Sequence, residues 1–139
     1  MALCRQLKNK EGELIGYAQS EVHRIVKGMF VQMGKIKTKN PEAKASLYNA
    51  EFPDESFHIK HTEVGLLGMC KRNGLKHTNE SQFYITTGAP LTFLDGENVV
   101  FGRVISGMAG IRMVEAMETM NERPAETVKI CKSGVYKKE

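Results

Sequence analysis

A mainly β fold, in which short strands form a barrel or sandwich closed by one or two helices, is the fold class that this sequence predicts. Seven short runs rich in β-branched and aromatic residues are separated by Gly, Asn and Asp. One later stretch instead repeats apolar residues at helical spacing. The 139 residues contain no fixed-period repeat and no low-complexity linker. We therefore expect a single domain over residues 1–139.

The first predicted elements are the tail of a helix and a series of strands. Leu3 and Leu7 lie four residues apart, so residues 2–8 are interpreted as a helix tail that Gly12 can stop. The predicted strands then follow at residues 22–26, 29–32, 57–60, 66–70, 83–86, 99–105 and 128–131.

A turn and a helix complete the predicted set. Asp95-Gly96-Glu97-Asn98 indicates a hairpin or tight loop, because Asp-Gly readily accepts positive φ. The helix is expected to have Ser106 as its cap and to end before Pro124. Its apolar stripe favours core packing over a partner-binding groove and consists of Met108, Ile111, Val114 and Met117, joined by Met113 and Met120.

Composition excludes several classes of protein. The chain is 41% hydrophobic and 26% charged, too apolar for a disordered tail. We expect no membrane span and no secretory signal, and hence an intracellular, cytoplasmic protein. Cys4, Cys70 and Cys131 are an odd set without paired spacing, which favours reduced thiols over disulfides or a closed zinc site.

Titratable clusters suggest no metal site. His58 and His61 are three residues apart in a predicted strand and would point to opposite faces, so we expect no metal. The acidic group Glu51, Asp54 and Glu55 lies in a Pro-containing loop, where a solvated surface is the expectation.

Positive charge is concentrated in the first third of the chain. Residues 1–44 hold nine Lys/Arg against four Glu, whereas the remainder is nearly balanced. This surplus could favour an acidic partner. Nucleic-acid binding is not favoured, because no aromatic residue interleaves Lys35, Lys37, Lys39 and Lys44.

Arg24 is the polar residue that stands out. Strand alternation places it on one face with the aliphatic residues Val22 and Val26. An arginine would be costly inside a closed core, so it faces either solvent or a cleft with an apolar floor. Gln82, beside an aromatic strand, offers a second polar group.

Five segments of the chain match one protein family in its order and nearly its spacing: VHRIVKGMFVQ, FHIKH, GLLGM, NESQFYIT and LDGENVVFGRV. Together they resemble cyclophilins, the cyclosporin-binding peptidyl-prolyl cis-trans isomerases. The resemblance implies a cyclophilin-like antiparallel β-barrel capped by helices. It also implies a shallow outer groove for proline-containing protein segments, and no cofactor.

The resemblance assigns roles to nine residues. It implies that Arg24 stabilises the twisted peptide bond, while Gln32 and Gln82 hold the substrate backbone. The residues implied to line the proline pocket and its rim are Met29, Phe30, Tyr84, Phe93, Leu94 and Asn98.

Several groove positions depart from the family pattern, and weakened catalysis is therefore expected. Met29 stands where a pocket phenylalanine is usual, and Tyr84 replaces a second one. Phe93 takes the place of a tryptophan associated with cyclosporin, and Asn98 that of a histidine.

The family usually has two further strands and most of a helix before the position matched by Leu3. We expect the domain to lack them, leaving residues 128–131 on an open edge that either upstream sequence or a neighbouring protein could complete. The alternative function is thus a non-catalytic cyclophilin-like module in a larger assembly, for example cytoskeletal, ciliary or spliceosomal.

Overall fold

The computed structural model describes residues 2–39, 46, 48 and 50–137; Lys44 lies outside them. The helix α1 covers Met108–Glu115, and short 3-10 turns lie at Ala2–Cys4, Arg72–Gly74 and Thr92–Leu94. The strands are β1 (Leu7–Lys8), β2 (Leu14–Ile15), β3 (Arg24–Val26), β4 (Phe30–Met33), β5 (Leu66–Lys71), β6 (Asn79–Thr86), β7 (Val100–Arg103), β8 (Thr119–Met120) and β9 (Arg123–Pro124).

Five strands form an antiparallel sheet in the order β3-β4-β6-β5-β7. Arg24 lies opposite Gln32 across β3 and β4, and Gln32 lies opposite Tyr84 across β4 and β6. Since directly opposed residues share a face, these three side chains lie in one row. Ile25 and Val31, one position along, belong to the other face.

The helix α1 covers that other face. The buried core there contains Val22, Ile25, Val31, Met33 and Ile85. Met108, Ile111 and Val114 of α1 pack against it, which confirms core packing for these members of the apolar stripe. Met113 and Met120 are each 74% exposed and lie outside the core. Gly107, at φ 89°, is the N-cap, so the prediction of a Ser106 cap was wrong.

The predicted mainly β, antiparallel, cyclophilin-like fold is confirmed, with strands at β5, β6 and β7 close to the predicted runs. Among the described residues the hydrogen-bonded strands do not close into a barrel, because β3 and β7 each have a strand partner on one side only within the five-stranded sheet. Two smaller hairpins flank this sheet in the sequence: β1-β2 precedes it and β8-β9 follows it.

Two predicted elements are replaced by different local structures. Residues 2–8 are not a helix tail, because Gln6 has φ 66° and Leu7 then pairs with Ile15 as a strand. The side chain of Asn9 accepts backbone hydrogen bonds from Glu11 and Glu13, which closes the turn between β1 and β2. Residues 57–60 form no strand, and their apolar side chains stay partly exposed.

Residues 128–131 are extended but form only an isolated bridge at Lys129 rather than the predicted strand. Backbone hydrogen bonds join Val128 to Val22 and Ile130 to Ser20 and Gln19. One side of this segment is therefore paired within the chain.

Asp54 is buried, which corrects the expectation that its acidic loop is solvated. Its side chain is 1% exposed and lies 2.9 Å from the ammonium of Lys71, which is 3% exposed. Burial acts to raise the pKa of Asp54, but hydrogen bonds from Lys71, Asn79 and the His77 backbone outweigh it and lower that pKa. This ion pair ties residues 51–55 to the end of β5.

The turn after Leu94 and the three cysteines agree with the sequence predictions. The tight turn at Asp95–Asn98 is confirmed, since Glu97 and Asn98 both donate backbone hydrogen bonds to Leu94. Cys4, Cys70 and Cys131 are free thiols, as predicted.

Candidate functional site

A row of polar side chains crosses the sheet face that α1 does not cover. Arg24 on β3 faces Gln32 on β4 across the ladder. The Gln32 side-chain amide donates to Gln82 Oε1 of β6 at 3.3 Å. The strand ladder thus brings together the three polar residues that the sequence singled out.

The guanidinium of Arg24 is exposed and is held from two sides. One Nη atom lies 3.4 Å from Glu122 Oε1, and both side chains are 47% exposed. Its central carbon lies 5.6 Å from the centre of the Phe30 ring, within cation–π distance. The Ile25 N–H also donates to the Glu122 carbonyl, which fixes the β8-β9 turn beside β3.

Glu122 was missed by sequence reasoning. It lies 98 residues from Arg24 along the chain, and no local pattern marks it. A positive φ of 65° shows only that the residue sits in a turn.

An apolar floor lies beside the polar row. Phe30, Tyr84 and Leu91 form its buried centre, and Val26, Met29, Cys70 and Leu94 pack against them. The rings of Phe30 and Tyr84 are tilted with centroids 5.3 Å apart. Met29 and Leu94, two predicted pocket residues, thus lie in the same cluster as Phe30 and Tyr84.

Tyr84 is a buried support in this floor, being only 3% exposed. Its hydroxyl lies 2.6 Å from His61 Nε2, and His61 Nδ1 lies 2.8 Å from Asp95 Oδ1. Burial is the main cause that raises the pKa of Tyr84, which stays protonated. Hydrogen bonds from the backbone and ring of His61 lower the pKa of Asp95, which stays charged.

Gly68 on β5 makes room for the Tyr84 ring. A Cβ at position 68 would lie 2.2 Å from the Tyr84 hydroxyl, closer than any real contact. His61 and Asp95 are supporting residues that sequence reasoning did not assign to the site. The segment FHIKH carried His61 as part of the resemblance without indicating its partner.

The remaining predicted rim residues differ in placement. Phe93 is 57% exposed and lies outside the buried cluster. The Asn98 side-chain amide donates to the Met69 carbonyl at 3.0 Å, so it is engaged with the backbone of β5. Asn98 therefore holds the loop against the sheet.

This arrangement suits binding rather than bond cleavage. A fixed guanidinium and two amides offer donors and acceptors to a peptide backbone, and the adjacent floor offers an apolar surface. No group of three or more His, Cys, Asp or Glu in the described part of the chain could hold a metal ion. No described helix is long and apolar enough to cross a membrane.

Comparison with known proteins places this chain in a family. The family model for cyclophilin type peptidyl-prolyl cis-trans isomerases matches residues 1–135. The chain is also 38% identical over 125 residues to peptidyl-prolyl cis-trans isomerase B of Saccharomyces cerevisiae, a match covering 89% of this chain. The match spans 60% of that yeast protein's length. This chain belongs to the cyclophilin family.

Proposed function

We propose that this chain binds X-Pro segments of proteins and catalyses their cis-trans isomerisation, with weakened activity. The observation that carries the proposal is the row of Arg24, Gln32 and Gln82 beside the apolar floor at Phe30. Membership of the cyclophilin family supports the same reaction class.

The reaction requires rotation about a peptide bond whose barrier is about 18–20 kcal/mol. Amide resonance is lost when the bond is twisted, so the prolyl nitrogen becomes a hydrogen-bond acceptor. A guanidinium placed beside that nitrogen binds the twisted form better than either planar form, and this difference accelerates rotation without any covalent step. Arg24 supplies that donor.

The neighbouring residues hold the substrate. Gln32 and Gln82 bond the peptide backbone, and the proline ring packs on Phe30, Met29 and Leu94. Two features weaken catalysis. Glu122 competes for the Arg24 donor, and Met29 lacks the flat ring on which a pyrrolidine packs.

Exchange NMR on a proline-containing tetrapeptide tests the proposal, because it reports the cis-trans rate directly. Wild-type protein should raise the exchange rate, and Arg24→Lys should lose most of this increase because an ammonium lacks the planar donor fork. Arg103→Lys, an exposed arginine on β7, is the matched control and should keep full activity. A loss below about threefold (roughly 0.6 kcal/mol) in Arg24→Lys would contradict the role of Arg24.

A non-catalytic module in a larger assembly is the second candidate, and one feature favours it. Phe101 on β7 is 50% exposed beside a cavity of about 280 Å³ lined by Leu3, Tyr17, Phe52 and Met69, among others. A neighbouring protein that added a strand at β7 would cover this apolar surface. Two results together would favour this candidate. The protein would not accelerate cis-trans exchange of the tetrapeptide, and the backbone amides of β7 would be strongly protected from hydrogen exchange only within a native assembly.

We also propose that this protein is located in the cytoplasm. Free thiols at all three cysteines suit a reducing compartment. Fractionation of cells that express the tagged protein tests it.

A further inference from the structure

A second cavity lies away from the polar row. Its volume is about 360 Å³, and its walls come from the β2 strand, residues 18–23, residues 35–37 and β9. His23, which directly precedes β3, lines it, whereas Arg24 does not. None of the nine residues assigned to the proline groove lines this cavity, although the side chain of His23 reaches Gln82 of the polar row.

Positive charge dominates the walls of this cavity. Lys35, Lys37 and Arg123 line it and are exposed, and Glu21 is the only carboxylate among the described residues of its lining. None of the three cations forms an ion pair with a described carboxylate. The basic surplus in the first third of the sequence is thus partly gathered at one concave surface.

His23 lies within the field of these cations. Its Nδ1 atom is buried and has no hydrogen-bond partner within the described part of the chain. Burial is the largest cause that lowers the pKa of His23, and the positive charge of Lys35 is the next. Arg123 acts in the same direction. A negative group in the cavity would relieve the repulsion between His23 and these cations.

Apolar side chains lie among these cations. Leu14 is 62% exposed, and Ile36 lies between Lys35 and Lys37 in the wall. No aromatic side chain lines the cavity, so it offers no surface on which a nucleic-acid base would stack. Carboxylates next to an aliphatic side chain complement this surface better than a nucleic acid does.

We propose that this cavity is a docking site for an acidic polypeptide segment that carries an aliphatic residue. Carboxylates of the segment pair with Lys35, Lys37 and Arg123, and its aliphatic residue packs on Leu14 and Ile36. The site recruits acidic partners independently of any X-Pro contact at Arg24.

A labelled, proline-free dodecapeptide of Glu, Asp and Leu tests the proposal by fluorescence anisotropy, because it offers nothing to a proline groove. Wild-type protein should bind it, with affinity that falls as salt rises. The double variant Lys35→Glu/Lys37→Glu should bind at least fivefold more weakly. Lys60→Glu/Lys76→Glu makes the same charge change at exposed lysines elsewhere and should stay within twofold of wild type.

Two further measurements separate this site from the groove. Arg24→Ala should leave the affinity for the acidic peptide unchanged even if it abolishes isomerisation. Peptide binding should also raise the pKa of His23 in NMR titrations, since added carboxylates offset the cations Lys35 and Arg123. Hydrogen bonds to the Glu21 backbone and the Gln82 side chain already favour the imidazolium.

Four outcomes would overturn the proposal: no binding by the wild type, equal loss in both double variants, loss of binding in Arg24→Ala, or tighter binding of a single-stranded RNA of equal charge. The last result would assign the surface to nucleic acid. Failure of isomerisation alone would count against the proposed function and leave this docking site standing.

Discussion

Removing the charge of Asp54 should strongly destabilise the fold. Asp54→Asn would leave the Lys71 ammonium, which is 3% exposed, without a charged partner. Breaking a buried ion pair on one side costs about 3–5 kcal/mol, because an uncompensated charge remains in a low-dielectric environment. That is a large part of a typical stability of about 5–15 kcal/mol.

Urea unfolding followed by far-UV circular dichroism measures this loss as a lower midpoint at an unchanged slope. Glu55→Gln is the matched control, because it removes an exposed carboxylate from the same loop and should change stability by less than about 0.5 kcal/mol. The double variant Asp54→Asn/Lys71→Met should recover part of the loss, since no charge is then buried.

The pH dependence provides a second test of the same ion pair. The pKa of Asp54 is lower in the folded state than its ordinary value of 3.8. The carboxylate therefore stabilises the fold above about pH 4, and this contribution disappears as the pH falls through the folded-state pKa. Asp54→Asn should flatten the acid limb of the stability curve. A loss below about 1 kcal/mol at pH 7, or an unchanged acid limb, would refute the reasoning.

Three further predictions concern the floor, rim and neighbouring backbone of the groove. Tyr84→Phe should cost about 1–3 kcal/mol in urea unfolding, because His61 Nε2 would be left buried without its partner; an unchanged midpoint would contradict that hydrogen bond. Cyclosporin should bind this protein more weakly than it binds a typical cyclophilin, because Phe93 lacks an indole N–H donor. The variant Phe93→Trp should recover part of the affinity, which calorimetry measures. Gly88→Ala should destabilise by about 1–3 kcal/mol or more, since its Cβ would lie 1.8 Å from the Gly28 carbonyl oxygen, whereas Gly110→Ala in α1 meets nothing and should be neutral or stabilising.

Local pattern predicted the strands of the main sheet because their residues pack on both faces. The run at β6 combines aromatic and β-branched residues with burial, and the apolar run at β5 lies between β6 and β7, so local pattern and tertiary packing agree there. Residues 57–60 have similar composition, but no neighbouring strand pairs with them. Strand propensity without a partner does not make a strand.

The sequence predicted those parts of the candidate site that follow from the alternation of side chains along a strand and from the family resemblance. Arg24 and Gln32 share a face because β3 and β4 pair across a short turn. Glu122 and Asp54 could not be assigned from sequence, since their partners lie 98 and 17 residues away. Their roles depend on tertiary contacts that no local pattern encodes.

Tyr84, which stands where the family usually has phenylalanine, is supported by a consistent set of contacts at the groove floor. Gly68 removes the side chain that would collide with the Tyr84 hydroxyl, and that hydroxyl reaches His61. His61 in turn bonds Asp95, which follows the 3-10 turn carrying Leu94 into the apolar cluster. A polar network under an apolar floor is costly unless every member is satisfied, and the hydroxyl, both ring nitrogens and the bonded Asp95 oxygen all have partners. Under the proposed function, this packed and hydrogen-bonded floor would support the proline ring, and turnover would depend on how readily Arg24 leaves Glu122.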